Sequence, residues 1–308
     1  MNSELQFIRT LQDKFPVRPP VQVGIGDDGA VVDCSQTDRQ VIVVDMLLDG
    51  VHFDLQITSP RLVGRKAVAV NLSDLAAMGC WPTAAFVSIA VPRSLESAAA
   101  FLEQVFAGIE ELANRWNFCV AGGDTNTWDG PFVIDVCLTG VPVGEHPVLR
   151  NGARPGDILL VTGPLGGSFG SERHLNFTPR LDLAKWLVLN YDIHAMMDIS
   201  DGLAIDLHRM MESSNTGADV MADAVPIHAD ANTVDHDSSL LHALSDGEDF
   251  ELLLAISADD FERLNCDTGR PQDFHQIGIV RSGRHCQLID DSGHATGLNV
   301  AGWQHDMS

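Results

Sequence analysis

Gly24-Ile25-Gly26-Asp27-Asp28-Gly29-Ala30 is the stretch around which the chain reads. More acids follow it at a distance, many of them beside glycines: Asp45 and Asp49, Asp74, Asp124, then Asp198 and Asp201. Taken singly, each is an ordinary turn residue, because Asp and Gly are what loops commonly use. Taken together, carboxylates scattered so widely suggest a site assembled by folding. Carboxylate oxygens are the ligands that a hard divalent cation such as Mg²⁺ takes.

Bulk properties narrow the classes. At 308 residues the chain has room for two domains, each with its own core. With 43 Asp plus Glu against 19 Lys plus Arg, the formal net charge is -24. That field repels nucleic acid and anionic membrane, so neither is expected as a partner. It also repels nucleotides unless bound cations offset it. No run of eighteen apolar residues occurs. With Glu4 and Asp13 in the first turns, no signal-peptide core is read either, and a cytoplasmic protein is expected. The six cysteines are widely spaced with no Cys-x-x-Cys, which favours reduced thiols. Cys119 and Cys137 stand in apolar runs and are expected in the core.

Along the chain, residues 5–15 read as a short amphipathic helix stopped by Pro16 and Pro19-Pro20. Val41-Ile42-Val43-Val44 reads as a buried strand that delivers Asp45 at its end. Ser59-Pro60 opens a helix running to about Met78, with Gly79 as its stop. Asn71 and Asp74 share one face of it. After a strand over Thr83–Val91, apolar positions recur at i, i+3, i+4 from Leu95 to Trp116, the clearest helical stripe in the chain. Phe118–Ala121 reads as a strand entering Gly122-Gly123-Asp124-Thr125, and Phe132–Val141 as a longer one. Gly and Pro between Gly144 and Gly156 mark the domain break, giving domains of 1–148 and 149–308. Beyond it, a strand over Asp157–Thr162 enters the Gly163–Ser168 loop, which could approach phosphate, although glycine loops alone are weak evidence. Helices are expected over Leu181–Asn190 and Leu203–Met211, an exposed loop over residues 230–240, and strands over Glu251–Ile256 and Gln276–Val280.

Six converging carboxylates would remain ionised together only around several cations, which would attract a polyphosphate. Phosphoryl transfer suits such a site, because it needs positioning and charge neutralisation more than covalent help. There is no P-loop motif, and the chain has only three lysines, Lys14, Lys66 and Lys185. The protein-kinase His-Arg-Asp and Asp-Phe-Gly signatures and a Gly-x-Ser-x-Gly elbow are missing too. His52 lies among acids and reads either as structural or as a substrate contact. Arg150 reads either as a surface arginine or as a bidentate phosphate clamp.

Gly24-Ile25-Gly26-Asp27-Asp28, Asp45 with Asp49-Gly50-Val51-His52-Phe53, and Asn71-Leu72-Ser73-Asp74-Leu75-Ala76-Ala77-Met78-Gly79 form an ordered set. It continues with Gly122-Gly123-Asp124-Thr125, then Asp198 with Ser200-Asp201-Gly202-Leu203, and Gly247-Glu248-Asp249-Phe250-Glu251-Leu252. The set resembles the thiamine-monophosphate kinases, of the superfamily shared with aminoimidazole ribonucleotide synthetase. The resemblance implies an α/β (α+β), two-domain PurM-like fold. In it the N-terminal mixed sheet, with helices on one face, forms a dimer barrel, a second α/β domain follows, and the active site lies in the cleft between them. It implies Asp28, Asp45, Asp74, Asp124, Asp198 and Asp201 as Mg²⁺ ligands for several ions. Gly123, Asp124, Arg150 and Ser200 are implied as ATP contacts, with Asp74, Asp124 and Arg150 at the chemistry. His52, Glu248 and Trp303 are implied as thiamine-phosphate contacts, Trp303 having a core or surface tryptophan as its rival reading. Two departures stand out. Val43-Val44 replace the hydroxyl residues common before the aspartate matched by Asp45, and the segment at Gly170–Arg173 is shorter than usual.

The implied reaction is transfer of the γ-phosphoryl of ATP to thiamine monophosphate, by a homodimer, in thiamine diphosphate biosynthesis. Two rivals remain at this point: a superfamily member using ATP on another small acceptor, and a non-catalytic Mg-nucleotide-binding relative.

Overall fold

The alternation begun by Val41-Ile42-Val43-Val44 does not stop at Asp45. In the computed structural model, residues 10–23, 25, 31–35, 39–231, 235–272 and 274–303 are described. Strands β1 (Val21–Val23) and β2 (Val31–Val32) pair with each other, and β3 runs Val41–Leu48. Asp45 therefore lies inside a strand rather than at its end. The cause is pairing: every residue from Val41 to Leu48 has a partner on a later strand. The chain continues through helix α1 (Pro60–Ala77), β4 (Cys80–Pro92), helix α2 (Ala98–Trp116), β5 (Cys119–Trp128) and β6 (Val133–Pro142). Of the helix expected over 5–15, residues 10–14 are helical and residues 5–9 lie outside the described residues.

Two compact units emerge. One gathers the described residues up to Leu75 together with Cys80–Pro142, and the other holds Ala76–Gly79 and the chain from Val143 on. The first unit's main sheet has the order β3-β6-β4-β5, with β5 parallel to β4 and the remaining pairs antiparallel. One face is its core: Val41, Val43 and Leu47 are buried there with Ile134, Val136 and Leu138. On the other, Ile42, Val44 and Met46 stand 62%, 57% and 54% exposed. Cys137, paired with Val44, lies on this outward side and is half-buried, so it is not the core cysteine expected of it. Period-two alternation assigns it outward, whatever its apolar neighbours.

Helices α1 and α2 cross with their backbones touching. A Cβ at Gly64 would lie 2.0 Å from the Val105 carbonyl oxygen, and one at Gly108 would lie 2.0 Å from that of Arg61. The stripe from Leu95 is helical only from Ala98, since Ser97 takes a left-handed conformation. Asn117, also left-handed, ends the helix by donating its N–H to Ala113.

The second unit is built on β7 (Ile158–Val161), helix α3 (Leu181–Asn190), β8 (Ile193–Asp198), helix α4 (Leu203–Ser214) and β9 (Gly217–Met221). Helix α5 (His236–Ser245), β10 (Leu252–Ile256), helix α6 (Ala258–Cys266), β11 (His275–Arg281), β12 (Cys286–Ile289) and β13 (Ala295–Gly297) complete it. Its sheet has the order β13-β12-β9-β11-β7-β10-β8. Strands β7 and β10 are buried at every position, as strands covered on both faces must be. Of the loop expected over 230–240, residues 232–234 lie outside the described residues and 236–240 are instead the start of α5, which Asp235 caps by accepting the N–H of Ser238 at 2.8 Å. Leu240, Ala243 and Leu244 then bury one face against Leu203, Ala204 and Leu207 of α4.

Candidate active site

In the second unit, five of the expected residues come together. Asp198 ends β8, buried and paired with Leu252. The Ser200–Gly202 turn that follows is held from inside by Asp206, whose Oδ2 accepts the N–H groups of Ser200, Asp201 and Gly202 at 3.1, 3.0 and 3.2 Å. The Ser200 carbonyl accepts the N–H of Glu248 at 2.7 Å, and the Asp201 carbonyl accepts that of Trp303 at 2.9 Å. Trp303 itself is half-exposed.

The turn carrying Glu248 is strained. Gly247, Glu248 and Phe250 have φ values of 73°, 57° and 53°. Left-handed backbone is costly for a non-glycine residue and persists only where surrounding contacts enforce it. Here they do. Phe250 donates to the Ile199 carbonyl at 2.9 Å and stacks on Phe177 with ring centroids 4.2 Å apart. Gly247 allows the approach, because a Cβ there would lie 2.7 Å from the Ser200 carbonyl oxygen. Buried Asp249 accepts the N–H of Gly166 through both oxygens, at 3.0 and 2.9 Å, and pairs with Arg173 at 3.1 Å. Gly167 N–H donates to Asp246 at 2.9 Å. Two amides of the Gly163–Ser168 loop are thus spent on carboxylates of this same unit and do not await a phosphate.

Negative charge is concentrated here. Burial, then the charge of Asp198, pushes the Asp206 carboxyl up to about 7, against the contact with Arg209. Arg209 also pairs with Asp201 at 2.5 Å. Burial likewise raises Asp249 to about 7. The sequence reading missed Asp206 as a positioning residue; its signal was a lone acid among Leu203, Ala204, Ile205 and Leu207 in a helix's first turns. Arg150 is exposed, and its neighbour Leu149 accepts the N–H of Met196, tying the segment to β8.

In the first unit the expected residues are less gathered. Asp28, with Asp27, lies outside the described residues. Asp45 shares the core-facing row of β3 with Val43 and is half-buried; Asp74 is half-buried near the end of α1. The row through Asp45 crosses Val136 and Val87 to Gly123. Asp124 falls in the next row, with Ser88, Asp135 and Met46, on the outward side. Asp45 and Asp124 are therefore three strand spacings apart, about 14 Å. Gly123 has φ 156°, and its Cβ would lie 1.9 Å from the Val87 carbonyl oxygen, so strand pairing alone demands glycine. His52 Nδ1 accepts the N–H of Leu48 at 3.0 Å, which places the ring proton on Nε2. Its carbonyl accepts from the buried Lys66 at 2.8 Å. Asp49 Oδ1 accepts the N–H of Leu55 at 2.9 Å. Of the two replaced hydroxyl positions, Val43 points to the core and Val44 outward. Among the described residues, no three His, Cys, Asp or Glu side chains already form a metal-holding group.

The comparisons with known proteins agree with the motif order. Two family models match: AIR synthase related protein, N-terminal domain, over residues 26–142, and its C-terminal domain over 154–291. Thiamine-monophosphate kinase of Rhodopirellula baltica is 42% identical over 267 residues, covering 83% of each chain. The chain belongs to the thiamine-monophosphate kinase family. Its Bacillus subtilis member is 32% identical over 308 residues, 93% of this chain and 94% of that one. The structure of the family member from Stenotrophomonas maltophilia aligns with a TM-score of 0.81 at 30% identity, covering 96% of this chain and 98% of that one. AaThiL, solved in complex with AMPPCP and TMP, aligns at 0.75 with 28% identity over 98% of this chain and 97% of its own. The two-domain α/β fold implied by the motifs is the fold observed.

Proposed function

We infer that this protein phosphorylates thiamine monophosphate at the expense of ATP, giving thiamine diphosphate and ADP. The observation that carries this reading is the likeness, over nearly the whole chain, to a family member bound to an ATP analogue and TMP. The local geometry supports it: the motif residues Asp198, Ser200, Asp201, Glu248 and Trp303 are brought together by backbone hydrogen bonds.

In this reading Gly123, Asp124, Arg150 and Ser200 bind ATP, and His52, Glu248 and Trp303 bind the acceptor. Asp28, Asp45, Asp74, Asp124, Asp198 and Asp201 hold Mg²⁺. The donor set fits a hard cation: carboxylate oxygens throughout, with Asp198 buried beside Asp206. Bound Mg²⁺ would supply charge neutralisation between two anionic phosphates. The acceptor oxygen is already anionic, so no residue needs to act as a strong base. Arg150 neutralises phosphate charge, and the Ser200 turn, fixed by Asp206, orients the nucleotide. Residues 1–148 contribute metal and ATP contacts and the dimer surface, and 149–308 complete the ATP and acceptor site. The exposed Ile42, Val44 and Met46 support a homodimer paired through this sheet. A cytoplasmic location fits the biosynthetic role; no helix among the described residues is long and apolar enough to cross a membrane.

The test is mass-spectrometric product analysis with ATP, Mg²⁺ and thiamine monophosphate, using unphosphorylated thiamine as control. Thiamine diphosphate formed only from the monophosphate, and abolished by EDTA, is the expected result. ADP without it would send the reading to another acceptor. Asp74→Asn and Asp124→Asn should each lower kcat at least about a hundredfold while leaving the thermal melt in place. Unchanged turnover in both would remove them from the mechanism.

A further inference from the structure

Glu248 is a carboxylate, and thiamine monophosphate presents two unlike ends. A carboxylate repels the phosphate and is attracted to the thiazolium cation and the aminopyrimidine, so Glu248 suits the organic end. A glutamate side chain has freedom to lose on binding, and affinity gains if the fold removes that freedom beforehand.

The structure contains a device that does this. Oε2 of Glu248 lies 3.0 Å from Nδ1 of His174. His174 is 3% exposed, and its ring stacks on Phe169 with centroids 4.6 Å apart and planes at 22°. The neighbouring Arg173 grips the same strained turn through Asp249 at 3.1 Å and is itself held by Asp230 at 3.2 Å. Arg173 and His174 open a single turn of 3-10 helix, Arg173–Leu175, directly after a left-handed Glu172. Consecutive side chains of this short turn thus clamp consecutive residues, Glu248 and Asp249. The turn begins at Arg173, the last residue of the segment that the sequence marks as shortened.

We propose that His174 is a positioning residue for acceptor recognition, fixing the Glu248 carboxylate for the cationic organic end of thiamine monophosphate. The proposal rests on the acceptor assignment above. It makes a distinction that a packing role would not. The contact to Glu248 is made through Nδ1, a position that the amide nitrogen of Asn reproduces and that of Gln overshoots.

Steady-state kinetics on the full-length enzyme test it, varying thiamine monophosphate at saturating ATP and the reverse. His174→Ala and His174→Gln should raise KM for thiamine monophosphate about tenfold or more, with kcat and KM for ATP within about twofold of wild type. His174→Asn should restore KM to within about threefold of wild type. In a Glu248→Gln background, His174→Ala should add less than about twofold, since the two side chains act as one unit. Thermal melts establish that each variant is folded; if the Ala variant is not, the Asn and Gln pair carries the test. An unchanged KM in the Gln variant, equal rescue by Gln and Asn, or full additivity in the cycle would overturn the proposal while leaving the kinase assignment intact. A wild-type enzyme that makes no thiamine diphosphate would overturn the acceptor assignment, and this proposal with it.

Discussion

Buried carboxylates are the residues on which the second unit turns, and their cost is readable as pH dependence. Asp249 is almost wholly buried and its carboxyl is raised from 3.8 to about 7, by burial first, in spite of Gly166 and Arg173. A carboxyl raised in this way binds its proton more tightly in the folded state. Its contribution is fully present below about pH 4 and is lost as pH climbs through about 7. Each tenfold change in proton affinity is worth about 1.4 kcal/mol, so the loss is up to about 4 kcal/mol. Asp249→Asn, which cannot ionise, should gain stability relative to wild type as pH rises from 4 to 8. Paired thermal melts across that range check it, and a pH-independent gap would refute it. Arg173 and His174 offered the sequence reading no pattern. Their partners Asp249 and Glu248 lie more than seventy positions away, and only folding makes them neighbours.

Among elements, α1 and α2 of the first unit cross with no room for a side chain between their backbones. Gly64 and Gly108 each let a helix backbone rest against the other, at a distance no side chain tolerates. Phe101 of α2 packs edge-on to Phe132 beneath that crossing, with centroids 4.9 Å apart. Gly108→Ala would normally stabilise a helix interior by about 1 kcal/mol. Here it should destabilise by more than about 3 kcal/mol, because backbone must move to admit the methyl group. Urea denaturation, read as a fall in midpoint at constant m-value, measures it. The stripe from Leu95 to Trp116 revealed the helix and its buried face. It could not reveal that Gly108, between apolar neighbours, is a contact point, because periodicity encodes a direction and not a distance.

For the whole molecule, the outward side of the first unit's sheet is the exposed surface with the clearest consequence. Ile42, Val44 and Met46 project from one strand with Cys137 beside them, an apolar row in a chain of net charge -24. Covering these side chains gains about 25 cal/mol per Å² of apolar surface. A homodimer through this face predicts that Val44→Asp yields monomers in light scattering behind size-exclusion chromatography, with the monomer's circular dichroism unchanged. A dimer surviving both Val44→Asp and Ile42→Asp would place the interface elsewhere. The acidity also predicts salt-insensitive failure to retain nucleic acid.

The sequence by itself determined the family, the two-domain α/β class and the position of most helices and strands, and it supplied the carboxylates proposed here for the reaction. These follow from local information: hydrophobic period, capping and stop residues, and short motifs in a fixed order. It also pointed to Glu248 and Trp303, which folding brings to the Ser200 turn. Tertiary structure alone decided that Asp45 sits within a strand, that Asp45 and Asp124 fall in different rows of one sheet, and that an expected loop is helix from His236. It decided too that the Gly166 and Gly167 amides serve Asp249 and Asp246, and that Asp206 and His174 hold the groups expected to bind substrate. The physical reason is common to all of these. Strand register, and which of two distant polar groups satisfies the other once both leave water, depend on the whole chain's packing rather than on any local run of residues.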